Sequence, residues 1–250
     1  MDKRKKLYSL YHLNLAFSAI PESERAKVIE RCYVPLINLA RDTGCPVSIE
    51  ASGWTLQQIA DISPKVITDL RTLIAEGLCE FIGSGYIQAI GPLMPELANI
   101  ANQRIGMDVY QQLLGHKPDI ALINEQALSA GLIPIYRDAG YKGIILDWAN
   151  VYSAHQDWDT AWAHYPQLAL DPTGNDFPVI WCDAITFQKF QRHAHGEIDA
   201  AEFEEFVGRR LENMNGGFLA IYGSDAEIFD YRPGRYGTEA DIQASGEWSR

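Results

Sequence analysis

Two acidic residues follow short apolar runs of the sequence, in positions from which they could act together. Residues 218–222 form an apolar or small run that leads through Gly and Ser into Asp225. Residues 119–124 form a second run, and Glu125 comes directly after it. Two carboxyl groups on opposite sides of a glycosidic bond suffice for hydrolysis or transfer, because one attacks or activates water while the other protonates the leaving oxygen. Glu125 and Asp225 are therefore the candidate catalytic pair.

Asp225 begins a charged segment that continues with Glu227, Asp230, Arg232 and Arg235. Nearby anions favour the protonated form of a carboxylic acid, which is the form that a general acid needs. The two arginines act in the opposite direction and could hold Glu227 or Asp230 as charged structural partners. If the strand continued, Asp225 and Glu227 would point the same way, so the sequence leaves open which of them joins the catalytic pair.

The elements that must position these acids alternate along the chain. Apolar runs recur at residues 7–15, 45–51, 78–85, 119–124, 142–148, 177–183 and 217–224. Several are near-continuous, as strands covered on both faces require, and this favours a parallel sheet. Helix signals occupy residues 21–44, 63–77, 95–115, 125–140 and 199–217, whereas residues 151–176 have weak periodicity and are predicted to form a long loop with a helical turn or more. With no linker or repeat, the pattern predicts one α/β domain over residues 1–250.

Polar side chains come at or just after the ends of nearly all these runs, namely Glu50, Ser52, Ser84, Tyr86, Glu125, Asp147, Asp183 and Asp225. A rim of this kind is where a β/α barrel gathers its chemistry. An open doubly wound sheet is the alternative, but neither GxGxxG nor GxxxxGK(S/T) marks its switch point. The sequence therefore favours a (β/α)7-type barrel, with parallel strands inside and helices outside.

Composition narrows the range of partners. The net charge is −12 and the sequence pI is about 4.9, which leaves no basic stripe for phosphate contacts, so we expect neither nucleic acid nor a membrane as partner. No run approaches the roughly 20 apolar residues of a membrane helix, and the start lacks a signal-peptide cleavage site, so a cytoplasmic protein is expected. The four cysteines show no CxxC pairing and no zinc-finger histidine, so we expect buried thiols, no metal and no other cofactor. Nothing indicates the oligomeric state.

Four segments resemble the motifs of glycoside hydrolase family 57, which comprises retaining α-glycosidases and α-glucan transferases or branching enzymes on an incomplete seven-stranded barrel. They are YHLN (11–14), GLCEFIGSGYIQAIGPL (77–93), IALINEQAL (120–128) and GSDAEIFDYRP (223–233). The resemblance implies that Glu125 is the nucleophile and Asp225 the acid/base, and that an oligosaccharide or polysaccharide, such as an α-linked glucan, is the substrate. The substrate-binding residues that we expect are His12, Trp54, Glu80, Tyr86, Gln88, Asp147, Trp148 and Glu227.

The chain departs from the family pattern at several positions. Leu13 and Asn14 replace the usual Gln and Pro of the first motif, and Gln88 replaces a His of the second. These changes alter subsites, so they bear on the substrate more than on the mechanism. The family's fifth motif lies in a helical region beyond the barrel, whereas 25 residues follow Asp225, so we expect that helical domain to be absent or truncated.

Other interpretations stay open at this point. Asp225 could cap a turn, Glu125 could cap the helix predicted over 125–140, and Glu50 and Glu80 could be buried partners of arginine. A metal-dependent carbohydrate deacetylase on a related barrel is one alternative function, although the sequence lacks the Asp-Asp pair and the HxxxH helix of that class. A catalytically silent sugar-binding relative is another.

Overall fold

The computed structural model describes residues 4–16, 20–231 and 247–249, so Arg232 and Arg235 lie outside the described residues. Its eight strands are β1 (Lys5–Leu13), β2 (Val47–Ala51), β3 (Cys79–Ile82), β4 (Ile120–Leu122), β5 (Gly143–Asp147), β6 (Gln167–Leu170), β7 (Asp176–Cys182) and β8 (Gly217–Asp225). Seven of them correspond to the seven predicted runs. The additional strand is β6, within the segment that was predicted to be a loop.

The seven predicted strands run parallel, as expected for an α/β fold. β3, β2, β1 and β8 form one hydrogen-bonded sheet, and β4, β5, β7 and β6 form the other. A single parallel bridge between Gly83 and Ala121 links the two sheets beside β3 and β4. β7 of the second sheet also contacts β8 of the first, but these two strands share no backbone ladder within the described part of the chain. β6 pairs antiparallel with β7 as a hairpin.

The helices connect consecutive strands and cover the sheet. They are α1 (Arg25–Val28), α2 (Val34–Thr43), α3 (Gly53–Ile62), α4 (Pro64–Ala75), α5 (Glu96–Leu114), α6 (Ile133–Ala139), α7 (Trp148–Ala154), α8 (Ala184–Ala194) and α9 (Ala200–Asn213). One turn of π-helix, Ile29–Tyr33, joins α1 to α2. None of these helices is both long and apolar enough to cross a membrane.

Side-chain alternation gives the parallel strands two buried faces. One face packs against the helices in a large core cluster to which Tyr11, Ile49, Phe81 and Trp181 belong. The opposite face carries a smaller cluster with one buried side chain from each of five strands, namely Leu10, Ile82, Leu122, Ile145 and Cys182. Because successive residues of a strand point to opposite faces, residues two positions apart share a face. This second, inner face is the one that leads to the candidate site.

Besides β6, four features differ from the sequence prediction. The segment predicted as a helix over 125–140 is helical only from Ile133 to Ala139, because two short 3-10 turns precede it. α3 and α8 were not predicted, although each begins beside a side chain that caps it, Ser52 for α3 and Asp183 for α8. Of the four cysteines, Cys45 is exposed rather than buried.

Candidate active site

Three ionisable residues form a row across the ends of adjacent strands. His12 of β1 is the register partner of Glu50 in β2 and of Asp225 in β8. His12 occupies the inner face because it lies two residues beyond Leu10, and its register partner Asp225 lies beside it. Glu50 occupies the same face because its neighbours Ile49 and Ala51 belong to the large core cluster on the opposite face. Exposure increases along the row: the side chain of Glu50 is 0% exposed, that of His12 is 13% exposed and that of Asp225 is 48% exposed.

His12 contacts both neighbours of the row. Its Nδ1 is hydrogen-bonded to Oε2 of Glu50, and its Nε2 contacts the amide of Gln88 and lies 3.9 Å from Oδ1 of Asp225. Burial disfavours the charged imidazole, but Glu50, by its charge and its hydrogen bond, and then the charges of Asp225 and Glu227, raise the pKa of His12 to about 9. His12 is therefore a cation at neutral pH.

Glu125 lies in a strained turn directly after β4. Its φ of 54° is in the left-handed region, and Gln126 follows with a φ of 55°. Such a conformation costs a residue with a side chain about 1–2 kcal/mol, so the surrounding structure must impose it. Both neighbours of Glu125 are anchored to adjacent strands, since Asn124 donates to the carbonyl of Ser84 and Gln126 accepts from the backbone N–H of Asp147. The exposed Glu125 side chain is thus presented by a fixed backbone.

Glu125 and Asp225 line the same cavity. Its volume is about 390 Å³, and His12 and Gln88 line it as well. Its other lining residues are Leu10, Leu122, Ile123, Asn124, Gln126, Asn150, Cys182, Gly223 and Ser224. Leu10, Leu122 and Cys182 belong to the inner-face cluster, so the cavity lies directly above that apolar layer. The arrangement places two carboxyl groups, one cation and several amides around one space.

Glu227 has quite different surroundings from Asp225. It is 1% exposed, and it accepts hydrogen bonds from the backbone N–H of Asn14, at 2.6 Å, and from the hydroxyl of Tyr33. Burial, followed by the charge of Asp225, raises its pKa to about 7. Glu227 therefore belongs to the interior beside the cavity, whereas Asp225 lines it.

Trp54 and Tyr86, two other predicted contact residues, lie on the helix side of the strand ends. The ring of Trp54 packs under the guanidinium of Arg25, with 5.0 Å between the guanidinium carbon and the ring centroid. The hydroxyl of Tyr86 donates to Oε1 of Gln57 at 3.0 Å. Both side chains are partly buried in these contacts.

Asp147 and Trp148 begin α7 beside the cavity. The carboxylate of Asp147 caps the helix by accepting from the backbone N–H of Asn150, and it also accepts from that of Ala184. Burial raises the pKa of Asp147. Trp148 packs edge-on against Trp181, with ring centroids 5.3 Å apart, inside an aromatic cluster. In the structure, the contacts of Asp147 and Trp148 therefore hold the start of α7 at the end of β5.

Glu80 lies at some distance from the other predicted residues. It is the register partner of Ser48, two positions before the level of Glu50, and its side chain is exposed. It lines a separate cavity of about 490 Å³ together with His116 and Asp119, among residues of the first halves of β1, β2 and β3. The structure therefore brings together four predicted residues, His12, Gln88, Glu125 and Asp225.

The functional candidates that sequence reasoning missed are polar residues that hold these four. For Glu50 the sequence left open a ligand role and a buried pairing with arginine, and its partner in the structure is His12. Asn124 and Gln126 flank Glu125 in the sequence, and no motif pointed to their anchoring bonds. The signal that could have found Glu50 is an acidic residue between two apolar ones in a strand, at the same level as His12.

A larger cavity, of about 620 Å³, lies between β7 and β8. Asp183 is the one acidic residue in its described lining, and it forms an ion pair with Arg210 at 3.0 Å. That cavity lacks a pair of carboxyl groups, so the smaller one is the candidate active site. Among the described residues, no group of three or more His, Cys, Asp or Glu side chains is arranged to hold a metal ion.

One protein family matches most of the chain. The model of the family described as glycosyl hydrolase family 57 matches residues 4–170, about two thirds of the chain. The chain belongs to glycosyl hydrolase family 57. The matched residues include His12, Gln88 and Glu125, whereas Asp225 lies beyond them.

Relatives of this family 57 chain are distant in sequence. An alpha-amylase of Pyrococcus furiosus is 22% identical over 217 residues, which are 83% of this chain and 30% of the relative. The solved 4-alpha-glucanotransferase of Thermococcus litoralis has a TM-score of 0.78 and 16% identity, covering 99% of this chain and 37% of that one. The alpha-amylase AmyC of Thermotoga maritima has a TM-score of 0.68 and 12% identity, covering 90% of this chain and 68% of that one. These structures show the family 57 fold, and the chain spans about a third of the length of the Pyrococcus relative.

Proposed function

We propose that the cavity is the active site of a retaining α-glycoside hydrolase or transglycosidase that acts on α-linked glucan or a related oligosaccharide. The observation that carries this proposal is that Glu125, from the turn after β4, and Asp225, from the end of β8, line one cavity. The membership of family 57 and the alpha-amylase and glucanotransferase names of its relatives support the substrate class.

The two acids divide the reaction between them. Glu125, ionised, attacks the anomeric carbon and forms the glycosyl ester, while Asp225 gives its proton to the leaving oxygen as the glycosidic bond breaks. Asp225, now ionised, takes a proton from water or from a sugar hydroxyl, and that oxygen displaces Glu125 from the anomeric carbon. Two inversions at one carbon leave the anomeric configuration retained.

The backbone that carries Glu125 and the amides that line the cavity support this assignment. The Glu125 carboxylate is exposed on a backbone that Asn124 and Gln126 fix, so the nucleophile has little freedom to lose on substrate binding. Gln88 and Asn150 line the same space with amide groups, which can donate to and accept from sugar hydroxyls.

Azide rescue of two variants tests the assignment. Glu125→Ala leaves room for azide to attack the anomeric carbon once, so an α-glucoside with a good leaving group should yield the β-glycosyl azide. Asp225→Ala retains the nucleophile, so azide should attack the glycosyl ester and yield the α-glycosyl azide. Both variants are expected to lose turnover of unactivated substrates by at least about a hundredfold.

Three outcomes would count against this proposal. If azide rescued neither variant, the assignment of the two acids would fail. Release of acetate from acetylated sugars that a chelator abolishes would favour a metal-dependent deacetylase. Binding of oligosaccharide with no turnover in the wild-type protein would favour a silent sugar-binding relative. A screen of α-glucans and α-galactosides provides the substrates for these assays.

A further inference from the structure

Glu50 is a fully buried carboxylate that the proposed reaction does not use. Its side chain is 0% exposed, and its Oε1 has no hydrogen-bond partner among the described residues. Its Oε2 is bonded to Nδ1 of His12. A buried carboxylate is costly unless it is paired, so the ion pair with His12 is what holds this charge inside the fold.

The contact with Glu50 determines where His12 carries its protons. An ionised carboxylate only accepts hydrogen bonds, so Nδ1 of His12 must be the donor. When the imidazole is a cation, its Nε2 carries the second proton. That nitrogen contacts the side-chain amide of Gln88, which accepts a hydrogen bond from it when the amide is turned with Oε1 toward the ring, and it lies 3.9 Å from Oδ1 of Asp225.

Acidic groups approach His12 from several elements of the fold. Glu50 faces it from β2, Asp225 from β8 and Glu227 from the turn after β8, while Glu125 lines the same cavity. These groups are all acidic, and the pKa of His12 rises to about 9 in spite of its burial. Of the groups that raise the pKa of His12, Glu50 is the one that contacts the ring and is also shielded from solvent. Its attraction for the imidazolium is therefore the least screened.

We propose that Glu50 is a positioning residue of the reaction, which orients His12 and keeps it cationic so that His12 stabilises the charge that develops on Asp225. This inference rests on the proposed function of the cavity. As Asp225 gives up its proton, its O–H bond breaks, the leaving oxygen gains that proton, and the carboxyl group becomes an anion. A fixed cation 3.9 Å away lowers the energy of that anion more than the energy of the neutral acid.

The dependence of the reaction on the leaving group tests this role. A methyl or other alkyl α-glucoside needs a proton on its leaving oxygen, whereas a 2,4-dinitrophenyl α-glucoside leaves without one. Glu50→Gln retains the shape of the side chain and removes its charge. We expect kcat/KM to fall roughly tenfold to a hundredfold for the alkyl glucoside and only a few-fold for the activated one.

A matched variant separates this effect from a loss of stability. Asp171 lies in the hairpin of β6 and β7, is 5% exposed and forms an ion pair at 2.9 Å with Arg137 of α6. Asp171→Asn should destabilise the fold without altering the ratio of kcat/KM for the two glucosides. Glu50→Asp, which retains the charge, should recover part of the wild-type ratio. If Glu50→Gln does not fold, His12→Gln removes the cation and should show the same leaving-group dependence.

A titration of the His12 imidazole by NMR supplies a readout that does not need turnover. In Glu50→Gln the midpoint should fall from near pH 9 toward the ordinary value of 6.5, because only Asp225 and Glu227 then oppose the effect of burial. An unchanged midpoint, or an equal loss for both glucosides, would overturn the inference. If the wild-type protein turned over neither these glucosides nor any α-glucan or α-galactoside of the screen, the proposed function would fail, and the titration would still decide whether Glu50 controls His12.

Discussion

Asp225 and Glu227 are two residues apart, yet only Asp225 lines the cavity that Glu125 lines, while Glu227 is buried against Tyr33. The strand ends at Asp225, and a short 3-10 turn, Ala226–Ile228, rotates the next side chains away from the strand's alternation. β8 does not continue to Glu227, so the condition under which the two acids would point the same way is not met. This geometry makes Asp225 the partner of Glu125 in the proposed reaction.

A comparison of two variants tests this division. Asp225→Asn removes the proposed proton donor and should lower kcat for an unactivated α-glucoside by about 10²- to 10⁴-fold. Glu227→Gln retains hydrogen-bonding capacity beside Asn14 and Tyr33 and should retain kcat to within about tenfold. The reverse ranking of the two variants would show that Glu227 is the acid/base.

The buried Glu227 should make stability depend on pH in mildly acidic solution. Its pKa is raised from 4.5 to about 7, so the folded protein holds this proton more tightly than the unfolded chain. This contribution to the free energy of unfolding is complete below pH 4.5 and is lost as the pH rises to about 7, with a size on the order of 3 kcal/mol. Urea denaturation at several pH values measures it, and Glu227→Gln should flatten that slope. The same slope in both proteins would contradict the account.

The pair of His12 and Glu50 should govern stability at higher pH. The pKa of His12 is raised from 6.5 to about 9, so the stabilisation is present below pH 6.5 and is lost as the pH rises through 9. In His12→Gln this decrease, again on the order of 3 kcal/mol, should disappear from denaturation curves recorded between pH 6.5 and 9.5. A decrease that persisted in the variant would have to come from another group.

The strained turn at Glu125 predicts that glycine and alanine at this position give proteins of different stability. Glycine adopts a φ of 54° without steric cost, whereas alanine keeps the strain of the left-handed conformation. Glu125→Gly should therefore be about 1 kcal/mol more stable than Glu125→Ala, and both should lack turnover. Thermal denaturation of the two variants gives the comparison. Greater stability of the alanine variant would indicate that the turn is not strained in solution.

Much of the fold could be predicted because the parallel strands are apolar on both faces. β5 is buried along its whole length, and it corresponds to the predicted run 142–148. β6 escaped prediction since its pattern is inverted, with Leu168 and Leu170 about 60% exposed while Gln167 and Ala169 are partly buried.

The candidate site could be predicted where one residue carries the chemistry at the end of a strand, as with Glu125, Asp225 and His12. It could not be predicted where a contact depends on register between strands, because pairing Glu50 with His12 requires that β1 and β2 be aligned. Glu80 shows the same limit, since its place in a motif does not reveal that it lies two positions below the rim.

The configuration of the first-formed product tests the pairing of Glu125 with Asp225 most directly. Proton NMR of the wild-type protein with an α-glucoside follows the anomeric signals before mutarotation mixes them. The account predicts that the α-anomer forms first, because the glycosyl ester on Glu125 is resolved by a second inversion. Initial release of the β-anomer would mean a single displacement by water, and it would contradict the assignment of Glu125 as nucleophile.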